Sequence, residues 1–209
     1  CGHGEMVLCA RSPHITMGNL YLAQNAHCYD LLRYFNLTPN IICVNAIESN
    51  IQQRLNGCDY DSDSMLVTDD KLIIAGVTGC YDILKVPVCK AEPVGKTDYE
   101  NTPKSLAALD QVIAKNKIGE IVNLSQFLNC LLWDGLFSEK QGEHYPMDIY
   151  NDICILAVLS GMEIDKAKRL YSVDSGKVLS RLRHYRKDYK KNHGGNLPAF
   201  YKYIVGDES

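Results

Sequence analysis

The sequence predicts an α+β protein in two parts: a small β-rich unit that closes as a barrel over residues 1–95, and a helical region over residues 104–209. Three observations carry this. Short apolar runs bounded by Gly, Pro, Asn and Asp crowd the first half. Apolar residues recur at three- and four-residue spacing in the second. A polar stretch with two prolines, "KAEPVGKTDYENTP" at 90–103, lies between them and marks the boundary.

The predicted strands are "EMVLCAR" (5–11), "NIICVNAI" (40–47), "SMLVTD" (64–69), "KLIIAGV" (71–77) and "ILKVPVC" (83–89), with "HCYDLLRYF" (27–35) as a helical insertion. In the second half, Leu106, Leu109, Val112 and Ile113 form one amphipathic face. Ile118, Ile121, Val122, Leu128, Leu131 and Leu132 form another, and Ile153, Leu156, Ala157 and Leu159 a third. Trp133, in "CLLWDGL", reads as core. A last helix is expected from an N-cap at Asp174 or Ser175 through Lys191, ending at "HGG", where glycine suits a left-handed terminus.

Composition places the chain among globular proteins, at 46% hydrophobic and 22% charged residues in 209. No apolar run reaches the roughly 20 residues needed to span a bilayer, so no membrane partner is expected and the expected location is cytoplasmic. The nine cysteines are odd in number, contain no CxxC pair and sit among apolar neighbours, which reads as reduced, buried thiols. Zinc held by Cys1, His3 and Cys9 would need ligands spaced unlike those of structural zinc sites. The chain starts at Cys1 without an initiating methionine, "GEMVLCARSP" reads as already in the middle of a strand, and the chain is expected to be a piece of a longer protein.

The net charge of −3 hides a polarity. Residues 59–70 carry five carboxylates and no base, whereas residues 180–195 carry six Lys or Arg against one Asp. In "NGCDYDSDSMLVTDD" (56–70), Asp59, Asp61 and Asp63 alternate. On an extended chain such carboxylates face one side and repel one another unless a cation or proton intervenes. A solvated turn is the plainest reading. An EF-hand-like calcium loop is a second, although Ser64 stands where its sharp turn wants glycine, Asp70 where it wants glutamate, and a strand is expected next. A phosphatase-type aspartate pair would follow an apolar strand, and "RLNGC" is not one. A magnesium site of the nucleotidyl-transfer kind is the fourth, since that ion takes hard oxygen ligands. In a straight strand, at about 3.3 Å per residue, Asp59 and Asp63 would stand ~13 Å apart. The loop must therefore curl to bring them to one ion, and Asn56 and Gly57 supply turn-forming residues just before it.

Four stretches, taken in order, resemble the cellular RNA-dependent RNA polymerase family and, more distantly, the large catalytic subunit of multisubunit RNA polymerases. "GEMVLCARSPHITMGNLYL" resembles the family's strand with its arginine-x-proline. "NGCDYDSDSMLVTDDKLI" resembles its DxDGD metal loop and following strand. "IGEIVNLSQFLNCLLWDGL" and "DICILAVLSGMEIDKAKR" resemble the helical segments beyond, including the Ser160 to Asp165 spacing and the Asp165 to Lys168 pair. The resemblance covers about half the chain and implies a double-psi β-barrel. It further implies Mg²⁺ or Mn²⁺ on Asp59, Asp61 and Asp63, a second ion arriving with the nucleoside triphosphate, and two-metal transfer to an RNA 3′-hydroxyl. Arg11 matches the arginine near the incoming nucleotide's ribose. The partners so implied are a nucleic acid template, the RNA product and a second barrel from the rest of the polymerase. Ser62 replaces the family's loop glycine, which leaves a catalytically inactive remnant or nucleic-acid-binding module of the same fold as the alternative.

In "SRLRHYRKDYKKNH", Arg183, Arg186, Lys187, Lys190 and Lys191 recur at helical spacing beside Tyr185 and Tyr189. Such a helix suits a phosphate backbone; more often a basic helix is a solvated face with its tyrosines turned to the core.

Overall fold

A computed structural model describes residues 2–59, 63–96, 99–137, 146–167 and 169–201. It is an α+β structure whose chain divides into two compact units, Cys1–Val88 and Cys89–Ser209.

The first unit is built on three strands: β1 (Met6–Arg11), β2 (Leu20–Gln24) and β3 (Met65–Thr68). They form one antiparallel sheet in the order β2-β1-β3. Side chains of β1 alternate across it. Val7 and Cys9 pack with Ile51 and Leu55, from and just beyond the short helix α2 (Ile51–Arg54). Leu8 packs on the other face with Leu20 and with Val77 of helix α3 (Lys71–Cys80). Both faces of β1 are covered, and this is why its sequence is continuously apolar instead of alternating. The close passage of residue 85 over the turn at 17–19 requires Gly18, where a Cβ would stand 1.9 Å from the Lys85 carbonyl oxygen.

The expected barrel is not what the described residues form: the sheet has three strands and is open. Two strand predictions fail for lack of partners, since residues 40–47 and 83–89 contain no strand or helix among the described backbone hydrogen bonds. A third becomes α3. Asp70, the last carboxylate of the acidic stretch, caps this helix by accepting from the Leu72 and Ile73 amides at 2.9 and 3.0 Å. Once the helix starts, Ile74 and Val77 fall on one face against β1. The predicted insertion is helix α1 (Tyr29–Tyr34), with no buried residue.

The second unit is mainly helical: α4 (Pro103–Ala114), α5 (Ile118–Phe137), α6 (Met147–Ile164), α7 (Ser175–Leu182) and α8 (His184–Asn192). A two-residue ladder joins β4 (Gly95–Lys96) to β5 (Arg169–Leu170). Its core lies where α5 and α6 meet: Ile121, Phe127, Leu128, Ile153 and Leu156 are fully buried. Trp133 is only partly buried. Asp174 caps α7, accepting from the Gly176 and Lys177 amides. The expected single last helix is two, interrupted at Arg183, and it ends at glycines 194 and 195 with φ of +61° and +86°. The Gly195 amide bonds the Lys190 carbonyl at 2.8 Å, which closes the helix end. No described helix is long and apolar enough to cross a membrane.

Candidate metal loop and basic helix

The acidic loop leaves α2 through two left-handed residues, Asn56 (φ +55°) and Gly57 (φ +69°), and returns to the sheet as β3. The antiparallel register sets Met65 opposite Arg11, the last residue of β1. That register brings Arg11 to Asp63. Arg11 Nε donates to Asp63 Oδ1 at 2.7 Å, and Nη2 lies 2.5 Å from the same oxygen. Arg11 Nη1 donates to the Asn56 carbonyl at 3.2 Å, and the Asn56 amide side chain donates to the Pro13 carbonyl at 3.1 Å. Asp63 Oδ2 accepts from the Asp59 amide at 2.8 Å.

The loop is therefore curled: the carboxylate of Asp63 touches the backbone of Asp59, where a straight strand would hold the two ~13 Å apart. Asp61, with Tyr60 and Ser62, lies outside the described residues, as do Cys1 and Lys168. Among the described residues no three His, Cys, Asp or Glu side chains are grouped to hold a metal, and Asp61 is not in that set. The described donors are the exposed carboxylate of Asp59 and that of Asp63, whose two oxygens are already bonded by Arg11 and the Asp59 amide. Oxygen donors of this kind suit Mg²⁺, and Asp63 would have to share its oxygens with the ion. Arg11 faces the loop, with its guanidinium spent on Asp63 and Asn56. The nearby Cys58 thiol is pushed up by burial and then by Asp63. Cys9 is 2% exposed in the core, its thiol also pushed up by burial, and His3 stacks on His27.

The basic helix separates into two kinds of residue. Arg183 pairs with Glu120 at 3.0 Å. Arg186 is held by Tyr201: its Nε and Nη2 donate to the phenol oxygen, and its guanidinium lies 4.5 Å from the ring centre. Tyr201 in turn donates to the Asn123 carbonyl, which ties the final described turn to α5. Tyr185 donates to Asp152 at 2.8 Å, and Tyr189 meets the Phe127 ring edge-on. Both tyrosines face the protein and not a ligand. Lys187, Lys190 and Lys191 are exposed, and no carboxylate among the described residues pairs with them.

A second polar centre was not legible in the sequence. Glu163 is 7% exposed and accepts from the Lys117 amide at 3.0 Å and the Ser175 hydroxyl at 2.5 Å, joining three separate segments. In "GMEIDKAK" it reads as one more surface charge; only its place on the inward face of α6 could have marked it. Comparison of the chain with family models, curated proteins and solved structures gave no match.

Proposed function

We propose that this chain is the metal-binding portion of an RNA polymerase that adds nucleotides to an RNA 3′-hydroxyl, with the loop 59–63 as its acidic centre. The observation that carries the reading is the curl of that loop, in which Asp63 accepts from the Asp59 amide while Arg11 clamps it from the adjoining strand. It is supported by the order of the sequence pieces, and Arg11 of the first piece contacts Asp63 of the second. Asp59, Asp61 and Asp63 would hold Mg²⁺ or Mn²⁺, which when bound supplies charge stabilisation for the attacking and leaving oxygens. Arg11 fixes the loop's shape, and its position at the end of β1 keeps it the candidate for contact with an incoming nucleotide.

In this reading β1, β2 and β3 belong to a double-psi barrel wall, a second barrel comes from the rest of a cytoplasmic polymerase, and Lys187 and Lys190 face nucleic acid. The test is templated incorporation of labelled nucleotide by the intact protein with Mg²⁺ or Mn²⁺. Synthesis that is abolished by Asp61→Asn supports the proposal. Synthesis that appears only after Ser62→Gly identifies an inactive remnant instead.

A further inference from the structure

Three hollows run together along α7 in the second unit. The first, of about 160 Å³, is lined by Lys117, Lys166, Arg169 and Tyr171, among others. It shares Lys117 and Gly176 with a wider depression of about 520 Å³ that adds Lys177, Ser180 and Arg183. That depression shares Arg183 with a third, of about 130 Å³, which reaches Arg186. The three hollows adjoin through these shared residues, and Lys117, Lys166, Arg169, Lys177, Arg183 and Arg186 line the groove they make up.

Three carboxylates also line the groove, and each is already committed. Glu163 holds the Lys117 amide and the Ser175 hydroxyl, with Lys166 Nζ 3.7 Å away. Asp174 holds the Gly176 and Lys177 amides, so the N-terminus of α7 is closed and offers nothing to a ligand. Glu120 pairs with Arg183. The side chains of Lys117, Arg169 and Lys177 have no carboxylate within ion-pair distance among the described residues. Asp174 is nonetheless near enough to Lys117 and Lys177 to feel both charges. Cations beside hollows, with a half-buried tyrosine at one end, are the pairing of electrostatic track and stacking platform that single strands need.

We infer that this groove holds the phosphodiester backbone of single-stranded RNA, with Lys117, Arg169 and Lys177 contacting phosphates and Tyr171 stacking on a base. The choice of RNA as ligand rests on the polymerase reading. The groove itself is independent of the acidic loop.

The experiment is fluorescence anisotropy of a labelled oligouridylate with the full chain across a salt series. Each phosphate contact on a single strand contributes about 0.7 to the slope of log K against log salt. Lys117→Ala/Arg169→Ala/Lys177→Ala is expected to lower the slope by about 2 and the affinity at least roughly tenfold. Tyr171→Ala is expected to lower affinity about fivefold or more, and Tyr171→Phe to retain it. Circular dichroism confirms folding, and if the triple variant is unfolded, Lys177→Ala alone must lower the slope by about 0.7. The inference is overturned if the wild type does not bind, if the triple variant binds as the wild type does, or if binding is lost only in Lys187→Ala/Lys190→Ala/Lys191→Ala. Nucleotide addition is scored separately on the intact protein, because the polymerase reading takes its second barrel from outside this chain. Groove-dependent binding without synthesis retires the polymerase reading and leaves the groove standing, whereas synthesis with groove-independent binding does the reverse.

Discussion

The two units stabilise themselves by different means. In the second, α5 and α6 bury Phe127, Leu128, Ile153 and Leu156 to 0% exposure. In the first, the two apolar clusters are small, and Tyr29, Ile47 and Leu72 stand 83%, 80% and 85% exposed. The helical unit depends on burial. The acidic loop depends on a few directed polar bonds, which set its shape sharply but leave it sensitive to single atoms.

The contrast predicts where large losses fall. Phe127→Ala removes a fully buried ring that meets Tyr189 and Tyr201 edge-on, and its expected cost is about 3–5 kcal/mol. Denaturant unfolding followed by the single tryptophan, Trp133 on α5, measures it directly. A loss under about 1 kcal/mol would mean that this core collapses around the gap and that burial does not set the unit apart.

In the first unit the corresponding change is polar. Arg11→Ala leaves Asp63 with the Asp59 amide as its remaining contact of those described above, and should cost about 2 kcal/mol, within the range for hydrogen bonds to charged groups. Amide hydrogen exchange at Asp59 reads the opening of the loop, while protection at Leu8 in the sheet centre is expected to hold. Arg11→Lys should not rescue, because one ammonium cannot reproduce a fork reaching both Asp63 and the Asn56 carbonyl. Equal loss at Leu8 would show the pair to be part of the sheet's general stability.

This difference also separates what the sequence revealed from what it concealed. Local rules identified β1, α1, the three long helices, the Asp174 cap and the glycine end of α8, since each depends on nearest neighbours in the chain. "KLIIAGV" misled because Ile73, Ile74 and Val77 favour strands intrinsically, while the deciding features were a capping aspartate before the run and tertiary contact with β1. The acidic loop was legible as a cluster of ligand-type residues. Its contact with Arg11 spans 52 residues and follows from strand register, which charge patterning does not encode. Glu163, Arg186 and the groove were concealed for the same reason: their partners are remote in sequence.

A smaller effect, confined to alkaline pH, tests the basic helix. The Tyr185 phenol is pushed up to about 12, first by burial and then by its hydrogen bond to Asp152. Its neutral form is favoured in the folded protein, so its contribution is complete below pH 10.0 and is lost as pH rises through about 12. The absorbance difference between wild type and Tyr185→Phe isolates this phenol. Asp152→Asn should lower its midpoint without restoring the ordinary value, because burial remains. An unchanged midpoint would mean that burial alone sets it.

The smallest effect is at α3. Of its ten residues only Val77 is buried, Leu72 is 85% exposed, and two are glycines, so neither packing nor propensity explains the helix well. The two bonds from the Leu72 and Ile73 amides to Asp70 Oδ1 then carry an unusual share of its stability. Asp70→Ala should cost about 1 kcal/mol, and Asp70→Ser should recover most of it, because a hydroxyl at the cap also accepts from the amides behind it. Hydrogen exchange at Ile74, whose amide bonds the Asp70 carbonyl at 3.0 Å, resolves the change within this helix. If exchange there is the same in Asp70→Ala, then Val77 and Ile74 against β1 hold α3 by burial after all, and the first unit resembles the second more than its exposed surface suggests.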